Sequence, residues 1–102
     1  MRENLILETG VFGKTILLTG ATGFFGRYIA VGFLEAGARV VLLGRSPKLL
    51  KQIRELQKKY GKSRVSGFRV DFYDRAKLAA LLKRLTKRFK IDVLINNAFD
   101  FS

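Results

Sequence analysis

Residues 14–30 read KTILLTGATGFFGRYIA, and how that stretch is divided decides the fold. The run TILL, closed by Thr19 and Gly20, is a short β-branched and leucine segment of the kind that forms a strand buried on both faces. After it, TGATGFFG sets Gly20, Gly23 and Gly26 three residues apart. From Gly26 onward Ile29, Ala30, Phe33 and Leu34 fall on one helical face, and Gly37 is placed to close that helix as its C′ residue. The stretch therefore predicts a strand, a glycine-rich turn and a helix in immediate succession.

Outward from this unit the same alternation continues. RVVLLG (39–44) is a second apolar strand, after which Ser46 and Pro47 supply an N-cap and a first-turn proline. Leu49, Ile53, Leu56 and Tyr60 then recur at helical spacing until Gly61. RVSGFRVDF (64–72) is a third strand, Asp74 a cap, and Leu78, Leu81, Leu82, Leu85 and Phe89 the apolar face of a third helix. IDVLIN (91–96) is the fourth strand. No repeat, low-complexity tract or long linker divides the chain, so the order is βαβαβαβ, which implies a parallel sheet with helices on both faces.

The chain has 102 residues, 48% of them hydrophobic and 27% charged, with a formal charge of +12. That length is one domain at most, burying roughly 60–65% of its unfolded surface on folding. Having neither cysteine nor histidine, it cannot form disulfides, thiolate or imidazole metal sites, or a His-based triad. No apolar run approaches the roughly 18 residues of a membrane span, so the expectation is a soluble, cytoplasmic protein.

Glycines between a strand and a helix serve a phosphate in three ways. One permits the sharp turn, one lets the backbone approach the pyrophosphate, and one lets helix and strand pack closely, while the helix N-terminus offers free N–H groups. Gly20, Gly23 and Gly26 can fill these places in order, although glycines also simply make turns. Taken with its setting, KTILLTGATGFFGRYIA resembles the cofactor-binding start of the short-chain dehydrogenase/reductase family. The resemblance implies an α/β fold of Rossmann type: a three-layer sandwich with strand order 3-2-1-4. The expectation is therefore a leader segment over residues 1–13 and, in 1–102 as a whole, the truncated N-terminal half of a dinucleotide-binding domain.

It also implies the cofactor contacts: Gly20, Thr22, Gly23, Phe24, Phe25 and Gly26 around the pyrophosphate, and Asp71 with the backbone of Phe72 at the adenine. Asn96, Asn97 and Ala98 border the adenosine ribose and tie the sheet together. Gly44 stands where an acidic residue would hold the ribose of NAD, and Arg45 follows it. A guanidinium there suits the 2′-phosphate of NADP, so NADP is the expected cofactor and NAD the alternative. Without the resemblance, Arg45 reads equally as a surface arginine, Asp71 as a loop residue bonding its own backbone, and the two asparagines as a polar turn.

Two departures matter. One subgroup of the family reads TGxxxGxG, with glycine where Phe24 stands, whereas Gly23 gives the TGxxGxxG spacing of the extended subgroup, rich in nucleotide-sugar epimerases and dehydratases. Yet Asn96-Asn97-Ala98 belongs to the first, with Phe99 in place of its usual glycine. The family's chemistry comes from a serine and a Tyr-x-x-x-Lys pair beyond the fourth strand, and no catalytic residue is assigned within this chain. Tyr73 and Lys77 share the YxxxK spacing but fall between the third strand and third helix, which reads as coincidence. The expected activity, hydride transfer to or from a carbonyl or hydroxyl carbon of a small molecule, thus belongs to a full-length parent. The fourth strand, left at an edge, is expected to promote self-association.

The positive charge raises a rival: a non-catalytic module binding nucleic acid or a dinucleotide. The lysines and arginines cluster on the second helix and its exit (Lys48, Lys51, Arg54, Lys58, Lys59, Lys62) and on the third (Lys77, Lys83, Arg84, Lys87, Arg88, Lys90), opposite the apolar stripes. The crossovers place those helices on opposite faces of the sheet, whereas a nucleic-acid reader gathers its charge on one stripe with stacking aromatics. Solvated helix faces are the favoured reading, and no membrane partner is expected.

Overall fold

The computed structural model describes residues 10–97. Seven elements follow in the expected order: β1 (Thr15–Thr19), α1 (Phe24–Glu35), β2 (Arg39–Gly44), α2 (Lys48–Tyr60), β3 (Val65–Arg69), α3 (Arg75–Arg88) and β4 (Val93–Asn96). The strands form one sheet in the order β3-β2-β1-β4. Every pairing is parallel, with Leu17 opposite both Val41 and Leu94.

Alternation along the two central strands builds two cores. Ile16, Leu18, Val40 and Leu42 face α1 and α2, where Ala30, Leu34, Leu49 and Ile53 meet them. Leu17, Val41 and Leu43 point the other way, onto Leu81 and Leu85 of α3. β1 is buried along its whole length, as a strand covered on both faces must be. The expected helical stripes all pack as read: Ile29, Phe33, Leu56 and Tyr60 flank the first core, and Leu78, Leu82 and Phe89 the second. The two basic helices therefore lie on opposite faces.

The ends of the elements follow from local chemistry. Gly37 takes φ +87°, and the N–H groups of Gly37 and Ala38 bond to the carbonyls of Leu34 and Phe33, each at 3.0 Å, which closes α1 with a Schellman turn. Arg64 fastens the same corner by donating from Nη2 to the carbonyls of Leu34 and Ala38. α2 is assigned from Lys48, but Pro47 already has helical dihedrals (φ −61°, ψ −17°) and Ser46 Oγ accepts the Lys48 N–H at 3.1 Å. Ser46 is thus the cap and Pro47 the first turn, as the sequence indicates.

Three boundaries differ from the sequence reading. α1 starts at Phe24, two residues before Gly26, because Gly23 itself takes the cap position. β3 stops at Arg69: Val70 still donates to the Gly44 carbonyl at 2.9 Å, but Asp71 then folds back on its own backbone. β4 is only Val93–Asn96, with Asp92 pinned to its start by Thr15 N–H to Asp92 Oδ2 and Asp92 N–H to Thr15 O, both 2.9 Å. Residues 10–13 make a turn onto β1, with Val11 packed on the first core. Among the described residues no helix is long and apolar enough to cross a membrane.

Candidate dinucleotide-binding site

The carboxyl ends of the four strands lie side by side, and the turns leaving them form the candidate site. The β1–α1 turn is built by its glycines. Gly20 has φ +66°, a left-handed conformation that costs a side-chain-bearing residue about 1–2 kcal/mol. Gly26 is buried against the same turn: a Cβ there would overlap the Gly20 carbonyl oxygen and come within 2.9 Å of the Ala21 Cα. Both glycines are therefore required by the protein itself.

Gly23 is different. Its dihedrals (φ −69°, ψ 169°) are open to any residue, and a Cβ would meet only the Gly20 oxygen, at 3.5 Å. No side chain caps α1, and no acidic residue occupies its first turn. The ladder begins with Arg27 N–H to the Gly23 carbonyl (3.1 Å), so the N–H groups of Phe24, Phe25 and Gly26 precede it and carry the positive end of the helix dipole. The Phe24 and Phe25 rings are exposed and pack edge to face, with centroids 5.4 Å apart. Gln52 of α2 holds the loop from behind, its Nε2 donating to the Ala21 carbonyl at 2.9 Å.

At the end of β2, a Cβ on Gly44 would meet nothing closer than Leu49 at 3.7 Å, with the Thr22 hydroxyl at 4.0 Å, so Thr22 lies beside the position read as the ribose selector. Arg45 is exposed, and with Asp71 it lines an open cleft of about 760 Å³ that also takes in Arg69, Lys77 and Arg84. Asp71 Oδ1 accepts the N–H of Tyr73 at 3.0 Å, an Asx turn, so one oxygen of this carboxylate serves its own loop. The Phe72 side chain packs on the second core.

Asn96 and Asn97 converge on Thr19. The Thr19 hydroxyl donates to Asn96 Oδ1 and accepts from the Asn97 N–H, both at 2.9 Å, while Asn97 Nδ2 donates to the Gly20 carbonyl at 3.3 Å. The asparagines thus bind the end of β4 to the glycine turn. Ala98 and Phe99 lie outside the described residues. Tyr73 is exposed and Lys77 Nζ sits 3.9 Å from Asp74 Oδ2, so this lysine is turned toward the cap of its own helix.

Sequence reasoning missed Thr19, Gln52 and Arg69. Thr19 is the closing residue of an apolar run, where a threonine is unexceptional. Gln52 looks like any polar helix residue, and nothing in its spacing reveals the Ala21 carbonyl. Arg69 donates from Nε (3.2 Å) and Nη2 (3.1 Å) to the Arg45 carbonyl, a contact across 24 residues that only the pairing of β2 with β3 creates.

A parallel sheet of order 3-2-1-4 with a glycine turn at its first helix defines a dinucleotide-binding α/β protein. Residues 14–99 match the family model for short chain dehydrogenase, and the chain belongs to that family. It is 38% identical over 99 residues to a 2-dehydro-3-deoxy-D-gluconate 5-dehydrogenase of Pseudoalteromonas atlantica, covering 96% of this chain and 37% of that protein. It is 41% identical to the oxidoreductase UcpA of Escherichia coli, over 84% of this chain and 32% of that one. Among solved structures it superposes on L-sorbose reductase of Gluconobacter frateurii, complexed with NADPH and L-sorbose, with a TM-score of 0.78 and 33% identity, covering 90% and 35% of the two chains. The chain spans 31% of the length of one curated relative and 52% of another.

Proposed function

We propose that this chain is the cofactor-binding part of an oxidoreductase that prefers NADP(H), and that its parent moves hydride to or from a carbonyl or hydroxyl carbon. The observation that carries the reading is the β1–α1 turn: of the three helices among the described residues, only α1 begins without a side-chain cap, at a glycine the fold does not require. A pyrophosphate placed there would accept from the N–H groups of Phe24, Phe25 and Gly26 and meet the dipole with the charge it favours. Gly20 and Gly26 hold the turn in shape, and Thr22 stands next to the ribose.

The preference for NADP rests on Gly44 and Arg45. Gly44 brings no carboxylate to repel a 2′-phosphate, and Arg45 offers a guanidinium beside it. The relative solved with NADPH supports the same choice. Asp71 keeps one carboxylate oxygen for the adenine edge, the Phe72 backbone lies next to it, and Asn96 and Asn97, with Ala98 after them, border the ribose. Bound here, the nicotinamide would supply hydride chemistry; these residues bind and orient the dinucleotide.

Calorimetry with NADP⁺ and NAD⁺ tests this. The chain should bind NADP⁺ more tightly, and Arg45→Asp should remove at least about tenfold of that preference, the size of one charge-assisted contact partly screened by water. A folded sample that binds neither nucleotide, or a substitution that leaves the preference unchanged, refutes the assignment.

A further inference from the structure

We infer that Arg69 is a positioning residue for 2′-phosphate selectivity, acting by fixing the backbone of Arg45; the inference rests on the NADP reading above. The register of β2 with β3 sets Gly44 beside Arg69, and the ladder's last rung is Val70 N–H to the Gly44 carbonyl at 2.9 Å. The next carbonyl along β2, that of Arg45, lies beyond the ladder. Arg69 takes the place of the missing strand: Nε and Nη2 both donate to the Arg45 oxygen, at 3.2 and 3.1 Å.

Two donors from one planar group on one oxygen fix the peptide that joins Arg45 to Ser46. That peptide leads directly into the cap of α2, since Ser46 Oγ accepts the Lys48 N–H. The direction in which the Arg45 side chain leaves the backbone is therefore set by a guanidinium on another strand. Both arginines line the same open cleft, so a direct electrostatic role for Arg69 is the alternative to positioning. Positioning and charge predict different things for a lysine at this place. Lysine keeps the charge but lacks the planar fork.

The experiment measures NADP⁺ and NAD⁺ affinities by calorimetry for the full chain, Arg69→Met, Arg69→Lys and each combined with Arg45→Ala. Amide hydrogen exchange at Lys48, whose N–H bonds to Ser46 Oγ, is read without nucleotide. Arg69 is exposed, so both substitutions should leave the fold intact. Arg69→Met should weaken NADP⁺ about tenfold and NAD⁺ less than about twofold, Arg69→Lys should fail to restore it, and exchange at Lys48, whose N–H is held by Ser46 Oγ, should quicken in both. With Arg45→Ala in place, Arg69→Met should cost less than about twofold, because its effect passes through Arg45. Full restoration by lysine, an undiminished cost in the Arg45→Ala background, or unchanged exchange overturns the inference. If Arg45→Asp leaves the nucleotide preference unaltered, the NADP reading itself fails. Quickened exchange with unchanged NADP⁺ affinity then shows Arg69 to be a loop brace only, which overturns the selectivity role separately.

Discussion

The β1–α1 and β3–α3 turns make the same topological step at the same edge of the sheet, yet they treat the start of the following helix in opposite ways. In the β3–α3 turn two aspartates bond to nearby backbone N–H groups. Asp71 Oδ1 accepts from Tyr73, the Asp71 carbonyl accepts from Asp74, and Asp74 Oδ1 accepts from Lys77, at 3.0, 3.0 and 3.1 Å. A carboxylate at the N-terminus also offsets the α3 dipole. The β1–α1 turn has no such side chain: Gly23 stands at the cap, and no side chain bonds to the first-turn N–H groups of α1. On the proposed reading, the uncapped N-terminus of α1 is where an outside anion would bind, whereas that of α3 already has a carboxylate of its own.

The comparison breaks first at Gly26. Because its Cβ would run into backbone, which cannot rotate aside as a side chain could, Gly26→Ala should destabilise the chain by about 2–3 kcal/mol in urea unfolding. A midpoint equal to that of the parent chain would mean the turn can shift at no cost, and Gly26 would lose its structural role. Asp74→Ala comes next. It removes the cap from α3 and should cost about 1 kcal/mol by the same measurement. If that substitution proves neutral, α3 is held by Leu81 and Leu85 alone, and the contrast between the two turns carries less weight.

What could be read from the sequence was whatever has a local cause. Gly37 at the end of α1, Ser46 and Pro47 at the start of α2 and Asp74 at the start of α3 all act within a few residues of themselves, and each was legible. So was the strand order, through the family resemblance, and the division of the basic helices between two faces. The end of β3 was not, because Val70 and Asp71 look like continued strand until Asp71 turns to its own backbone. The same bond gives the local reading of Asp71 its due, since half of its carboxylate belongs to the loop. Arg69, Thr19 and Gln52 were illegible for a different reason: their partners, Arg45, Asn96 with Asn97, and Ala21, are distant in sequence and meet them only once the elements have packed. Periodicity finds the faces of helices and strands but not a side chain reaching for another segment's carbonyl.

The smallest effect on stability decides most about function. Gly23→Ala adds a methyl group at ordinary contact distance, 3.5 Å from the Gly20 oxygen, on a backbone with φ −69° that alanine adopts freely. Its unfolding free energy should stay within about 0.5 kcal/mol of the parent chain. The methyl group would nevertheless stand at the mouth of the turn, where a pyrophosphate has to approach the first-turn N–H groups. Calorimetry should therefore find NADP⁺ and NAD⁺ weakened together, by about tenfold or more, because the pyrophosphate is common to both. That outcome separates Gly23 from Arg45, whose substitution should act on one nucleotide only. Should Gly23→Ala instead unfold the chain as Gly26→Ala does, all three glycines would be serving the turn. Should it bind both nucleotides unchanged, the phosphate would lie elsewhere, and the uncapped start of α1 would need another explanation.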